Sequence, residues 1–113
     1  MEVRAVARYL HVSPQKARLV VDTVRGKPVK EALAILRFLP QKSARLVWKV
    51  VKSAAANAEN NYAMNPDDLY IKRIYVDNGP MYKRARARAR GMRSPILKRT
   101  SHITVVVEEK GAR

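Results

Sequence analysis

Residues Gly79 to Arg99 read GPMYKRARARARGMRSPILKR, the most basic stretch of this 113-residue chain. Eight of these residues are positively charged and none is acidic; they are Lys83, Arg84, Arg86, Arg88, Arg90, Arg93, Lys98 and Arg99. An unpaired charge in a protein core costs several kcal/mol, so a run of eight cannot be buried there. This stretch therefore lies in water or against an anionic partner.

Apolar and β-branched residues flank the basic stretch, from Tyr70 to Val76 before it and from Ile103 to Val107 after it. This pattern predicts two strands joined by a long basic connection. Alanine and arginine alternate strictly from Ala85 to Arg90, so in an extended chain the three arginines share one face. We expect a β-hairpin arm over about residues 79–99. A disordered basic loop and a short helix remain open, because alanine and arginine both favour helices.

Three amphipathic helices are predicted before the basic stretch. The first begins at Ser13 and Pro14, a good N-cap and a good first residue, and stops at Gly26. The second begins at Pro28, and the third runs from about Gln41 to Asn60. Their apolar stripes are Ala17, Val20, Val21 and Val24; Val29, Ala32, Leu33 and Leu36; and Ala44, Val47, Trp48, Val51, Ala55, Ala58 and Tyr62.

The remaining segments predict a small sheet. Val3 to Leu10 is typical of an edge strand, and Ile103 to Val107 is the most strongly β stretch. Leu69 to Val76 is also strand-like, but its apolar residues do not alternate cleanly, which leaves its inward face unassigned. The fold class is therefore α+β, a three-stranded antiparallel sheet packed on three helices with a long protruding β-hairpin arm, in one domain over residues 1–113. Trp48 lies in an apolar stripe, which favours core packing over base stacking.

The charge of the chain favours a polyanionic partner. Lys and Arg number 24 against 9 Asp and Glu, a net charge of +15, and residues 78–107 carry eight of these cations without one acid. Nucleic acid is the first partner class and an acidic membrane surface the second. The arm lacks the large apolar residues of a membrane-surface helix, which disfavours the membrane. DNA binding remains an alternative, since the short break at Gly26-Lys27-Pro28 permits a helix-turn-helix pair.

Catalytic and metal-binding signatures are absent from the sequence. His11 and His102 are isolated, no glycine-rich phosphate loop occurs, and Asp67-Asp68 follows the turn residues Asn65-Pro66. We therefore expect neither an enzyme nor a cofactor or metal. The chain has no cysteine, no apolar run long enough for a membrane span and no signal-peptide core at its N-terminus, so we expect a cytoplasmic protein.

Four motifs together resemble one known family. They are SPQKARLV at 13–20, AAANAEN at 54–60, DNGP at 77–80 and LKRTSHITV at 97–105. Their order and spacing closely resemble the bacterial large-subunit ribosomal protein twenty-two family over essentially the whole chain. The resemblance implies a globular α+β domain on the large subunit and a long β-hairpin that threads between ribosomal RNA segments. It also implies a role in subunit assembly and a hairpin that helps line the nascent-peptide exit tunnel.

The resemblance and the charge pattern together define the candidate site residues. The expected partners are large-subunit ribosomal RNA, neighbouring large-subunit proteins and the nascent peptide. RNA contacts are expected from Lys16, Arg18, Arg25, Lys83, Arg84, Arg86, Arg88, Arg90, Arg93, Lys98, Arg99 and His102. The resemblance implies tunnel-lining roles for Met81, Tyr82, Lys83, Arg84, Arg88, Ala89, Arg90 and Gly91. The chain departs from the family at Ala87, where many members have a proline before the arginine that Arg88 matches.

Overall fold

The computed structural model describes residues 2–79, 82–87 and 93–109, and for 82–87 and 93–98 it describes the backbone. Within these described residues, five strands, three α-helices and one 3₁₀ turn at Pro66–Asp68 follow one another. They are β1 (Glu2–Leu10), α1 (Pro14–Asp22), α2 (Val29–Phe38), α3 (Lys42–Tyr62), β2 (Leu69–Asn78), β3 (Tyr82–Ala87), β4 (Arg93–Lys98) and β5 (Ser101–Glu109).

The three long strands form one antiparallel sheet in the order β1-β5-β2. β1 lies at an edge, as predicted. The register pairs Ala5 with Val105 and Val105 with Ile74, so these residues share the face that carries the core. The predicted α+β fold, with a three-stranded sheet packed on three helices, is confirmed.

A β-bulge in β2 explains why the sequence of this strand does not alternate cleanly. The register against β5 shifts between Ile71 and Arg73, which leaves Lys72 as the additional residue. Ile71 and Ile74, three residues apart, are therefore both fully buried. A bulge inserts one residue and restores the pleat beyond it, so the alternation changes phase at Lys72.

The helices cover the core face of the sheet. The apolar stripe predicted for α1 is buried there, and so is most of the stripe predicted for α2. All four residues of the first predicted stripe are at most 1% exposed, including Val24, which follows the end of α1. The stripe predicted for α3 is partly wrong, because Val50 and Ala54 are buried while Tyr62 is 51% exposed. The helix is rotated about its axis relative to the prediction, so that Trp48 is only half-buried at the edge of the core.

The predicted helix boundaries hold to within a few residues, but the expected N-cap hydrogen bond is not formed. Ser13 occupies the N-cap position of α1 in an extended conformation, and its side chain makes no capping hydrogen bond. Pro28 precedes α2 and Gly26 adopts a left-handed φ of 77°. Glycine suits this conformation because it has no Cβ to clash with the backbone.

The basic stretch forms a two-stranded antiparallel ribbon that is separate from the main sheet. β3 pairs with β4 from Tyr82 opposite Lys98 to Ala87 opposite Arg93. This pairing confirms the prediction of a β-hairpin arm and rules out the alternative of a short helix over these residues. The radius of gyration is 17.3 Å and the long axis of the molecule measures 69 Å, whereas a compact chain of this length has a radius of gyration of about 13 Å. The arm makes the molecule elongated.

Candidate nucleic-acid interface

One end of the globular body carries the root of the arm and the ends of six elements. Ser101 of β5 pairs with Leu10 at the end of β1 and with Asn78 at the end of β2. The Ser101 hydroxyl donates to the carbonyl of Val12, 2.7 Å away, just before α1 begins. α2 ends and α3 begins at this same end, beside the β1–α1 loop. We call this region the arm end.

Carboxylates are segregated away from the arm end. Among the described residues only Asp77 lies there. The others lie at the far ends of the helices and sheet or in the turns between them; they are Glu2, Asp22, Glu31, Glu59, Asp67, Asp68, Glu108 and Glu109. Several of them are neutralised locally, since Asp22 pairs with Arg25 and Asp67 with Lys30. The arm end is therefore the more positive end of the body.

The far end of the sheet holds an ion-pair cluster around the bulge residue Lys72. Its ammonium donates to Glu2 at 2.6 Å and to Glu108 at 3.3 Å, and Arg73 also pairs with Glu2. The hydrogen bond from Lys72 holds the pKa of Glu2 below its ordinary value. A hydrogen bond from the Tyr70 hydroxyl, followed by that from Lys72, lowers the pKa of Glu108. Both bonds to Lys72 raise the pKa of its ammonium, so these charges satisfy one another.

A crevice of about 380 Å³ lies between α1 and the arm root, and we call it the root crevice. It is lined by Pro14, Gln15, Arg18, Asn78, Gly79, Arg99 and Thr100. Two of the predicted RNA-binding residues, Arg18 and Arg99, thus lie together although 81 positions separate them. No described acidic side chain lines it, so an anion entering the crevice meets two guanidinium groups.

Two predicted RNA-binding arginines of α1 also hold that helix against β2. Arg18 donates to the carbonyl of Val76 at 3.0 Å, and Arg25 donates to the carbonyl of Ile74. These carbonyls belong to a sheet-edge strand, whose unpaired backbone groups would otherwise be open to another strand. Arg18 and Arg25 therefore have a structural role, and each guanidinium keeps further donors for a ligand.

Two further crevices extend the basic surface beyond the residues that sequence reasoning identified. One lies between the β1–α1 loop and the start of α3 and includes Lys16, a predicted RNA-binding residue. The other lies between α2 and α3 and includes Arg37 and Arg45, which were not predicted. Both include Gln41 and Lys42, so they are continuous. Their cations come from three separate helices, and no local motif marks them in the sequence.

His102, another predicted RNA-binding residue, is engaged within the protein. Its Nδ1 accepts a hydrogen bond from the backbone N–H of Tyr9 at 3.1 Å, and the two rings meet edge to face at 4.9 Å. Tyr9 has a left-handed φ of 58° at the irregularity in β1. The imidazole thus stabilises an unusual turn of the edge strand.

The remaining predicted site residues belong to the arm. The structure describes the backbone of Tyr82, Lys83, Arg84 and Arg86 on β3 and of Arg93 and Lys98 on β4. Met81, Arg88, Ala89, Arg90 and Gly91 lie outside the described residues. The common face of the three arginines, the tip geometry at Ala87 and the tunnel-lining roles therefore stay predictions.

No group of three or more His, Cys, Asp or Glu side chains within the described residues has a metal-binding arrangement. Within the same residues no helix has both the length and the apolar character needed to cross a membrane.

Comparison with known proteins connects this basic arm end to one family. The model of the ribosomal protein L22p/L17e family matches residues 5–108. The large ribosomal subunit protein uL22 of Thermomicrobium roseum is 58% identical, with 99% of this chain and 98% of that protein covered. The proteins of the same name from Chloroflexus aggregans and Pelotomaculum thermopropionicum are 60% and 59% identical, with 97% of each chain covered. The α+β fold, the basic hairpin and the sequence match over nearly the whole chain agree with the family resemblance of the motifs. The chain therefore belongs to the ribosomal protein L22p/L17e family.

Proposed function

We propose that the chain is a structural component of the large ribosomal subunit that binds large-subunit ribosomal RNA through its arm and arm end. The single observation that carries the RNA contact is the separation of charge in the folded body. Crevices at the arm end bring together cations from α1, α2, α3 and the arm root without a described carboxylate in their lining. RNA presents a dense row of phosphates, which such a surface neutralises.

The arm extends the same surface away from the body. It carries eight cations over 79–99 and no acid, and its two strands lengthen the molecule to 69 Å. We propose that it passes between RNA segments, helps the subunit to assemble and lines the nascent-peptide exit tunnel, beside neighbouring large-subunit proteins. The proposed location is accordingly the ribosome in the cytoplasm.

DNA reading by the first helix pair is disfavoured by the way α1 is packed. Ala17, Val20 and Val21 bury one face of the helix, and Arg18 and Arg25 donate to backbone carbonyls of β2. A groove-reading helix needs side chains free to reach base edges. Membership of a ribosomal protein family also confirms the prediction that the chain is not an enzyme.

The salt dependence of RNA affinity tests the proposed RNA contact. Replacing Arg86, Arg88 and Arg90 by alanine removes three cations from the arm, so the slope of log affinity against log salt should flatten by about two to three. Filter binding to large-subunit ribosomal RNA at several salt concentrations measures this slope.

A matched control removes the same number of charges elsewhere. Arg4, Lys49 and Lys52 are exposed residues away from the three crevices. Replacing these three by alanine should leave the slope near that of the unmodified protein. Equal flattening in both variants would contradict the proposal, because it would show that net charge alone determines binding.

A further inference from the structure

The crevice between α2 and α3 combines positive charge with an aromatic and apolar lining. It measures about 550 Å³ and is lined by Leu36, Arg37, Leu39, Pro40, Gln41, Lys42, Arg45 and Trp48. Three of these residues are cationic and none is acidic. The size is within the range of sites that hold small organic groups. An anionic group with an apolar part is therefore the chemistry that fits.

Two aromatic side chains, one lining this crevice and one next to its lining residues in the chain, lack a complete set of partners within the described residues. Phe38 lies in the chain between two lining residues and is 88% exposed, the most exposed of the large hydrophobic side chains described. The indole N–H of Trp48 is buried and has no hydrogen-bond acceptor in the described part of the chain. An exposed ring offers a stacking surface, and an unpaired indole N–H favours a ligand that brings an acceptor.

The neighbouring surface indicates a polymer of phosphates as the source of this ligand. Gln41 and Lys42 also line the crevice beside the β1–α1 loop. The lining of that crevice includes His11 of the loop and Lys16 of α1, and it includes no acid. The cations thus continue from α2 across the start of α3 to α1. A single carboxylate needs one or two cations, whereas a nucleic acid strand meets a row of them.

We propose that the α2–α3 crevice takes one unpaired nucleotide of the large-subunit ribosomal RNA. The base stacks on the exposed ring of Phe38 or enters against the indole of Trp48, while Arg37, Lys42 and Arg45 contact the flanking phosphates. Base stacking on aromatic side chains is common in single-stranded RNA recognition. This assignment rests on the proposed RNA-binding function, but it concerns a crevice that shares no lining residue with the root crevice.

Trp48 is the only tryptophan in the chain, so its fluorescence reports on this crevice alone. The experiment titrates the full-length protein with large-subunit ribosomal RNA and follows Trp48 emission, with filter binding in parallel. We expect quenching that saturates together with the filter-binding curve. The variant Phe38→Ala should lose roughly tenfold in affinity and expose one or two unpaired bases to chemical modification that the unmodified protein protects. Since Phe38 is exposed, its loss should leave the fold intact.

A charge variant and a matched control distinguish RNA binding in the crevice from RNA binding elsewhere on the surface. Replacing Lys42 and Arg45 by glutamine should reduce the quenching and expose the same bases. Replacing Lys49 and Lys52 by glutamine removes two charges from the same helix outside the crevice and should change neither result.

Three other outcomes would each reject the proposed nucleotide site, for different reasons. Filter binding with unchanged Trp48 emission and no protected base would leave the proposed RNA-binding function standing and reject this site. Quenching by RNA-free large-subunit proteins, but not by RNA, would make the crevice a protein-docking site. Absence of RNA binding in every readout would reject the site together with the proposed function.

Discussion

At the arm root, one glycine allows the two chain segments to approach each other. The N–H of Gly79 donates to the carbonyl of Thr100 at 2.9 Å. A Cβ at Gly79 would lie 2.3 Å from the Thr100 hydroxyl oxygen and 3.2 Å from its carbonyl carbon. Thr100 is itself 1% exposed, so it has little room to move. The requirement at Gly79 is therefore one of space.

The substitution Gly79→Ala should consequently lower the free energy of unfolding by about 1–3 kcal/mol, the usual cost of overpacking. Urea unfolding followed by circular dichroism measures this change. Gly26→Asn is the control, because nothing lies within 4 Å of a Cβ at Gly26 and its φ of 77° is one that asparagine tolerates. Equal stability of Gly79→Ala and the unmodified protein would show that the arm root opens freely.

At the scale of elements, the bulge in β2 links the three strands at the far end of the sheet. It places Lys72 where its ammonium meets Glu2 of β1 and Glu108 of β5. The hydrogen bond from Tyr70 to Glu108 completes the cluster. Because the charged groups of this cluster remain partly exposed to water, their pairing contributes modestly to stability.

This cluster predicts a loss of stability in acid. The hydrogen bonds from Lys72 and Tyr70 lower the pKa values of Glu2 and Glu108 in the folded protein, whereas unfolding returns both pKa values to the ordinary value. Their contribution is complete above that value and is lost as the pH falls through the lowered folded pKa. In the Lys72→Met variant the decline in unfolding free energy between about pH 6 and about pH 3 should be smaller than in the unmodified protein. Lys49→Met, an exposed lysine outside the cluster, should keep the full decline, and equal declines in all three proteins would contradict this role.

At the scale of the whole molecule, the body and the arm present different surfaces. The body is two layers, with helices on one face of the sheet, and the arm is a two-stranded ribbon without a helix on it among the described residues. A two-stranded ribbon alone is marginally stable in water. Contacts with a partner are therefore expected to stabilise the extended arm.

Deleting Tyr82, Lys83 and Arg84 should alter passage through the exit tunnel more than subunit assembly. An odd deletion in β3 shifts its register against β4, which turns side chains to the opposite face and displaces the tip. The body is unchanged, so its docking should persist. Subunit yield from sedimentation, compared with ribosome stalling on arrest-type nascent peptides, measures the two effects.

A register-preserving control replaces the same three residues by alanine. It should affect stalling less than the deletion if the position of the tip matters most. Normal stalling on fully assembled ribosomes that carry the deletion would contradict the proposed tunnel-lining role. Complete failure of the subunit to assemble would also contradict it.

Much of this architecture was predictable because it depends on local patterns. The stripe of α1, the break at Gly26 and Pro28 and the β-branched run of β5 each follow from neighbouring residues. The stripe of α3 was assigned less well, since Trp48 and Tyr62 fit the helical spacing but lie at the edges of the buried face. The position of a helix about its own axis depends on the surfaces that it packs against.

The sequence by itself determined the basic arm, the fold class and the family, because charge runs, periodicity and motif order are properties of neighbouring residues. Only the tertiary structure decided where the body's charges lie. Antiparallel strands and returning helices bring Arg18 to Arg99 and Lys16 to Lys42, and they place most carboxylates away from the arm end. It also revealed that Arg18 and Arg25 cover the edge of β2. Distances between residues far apart in the chain are set by packing, which no local pattern encodes.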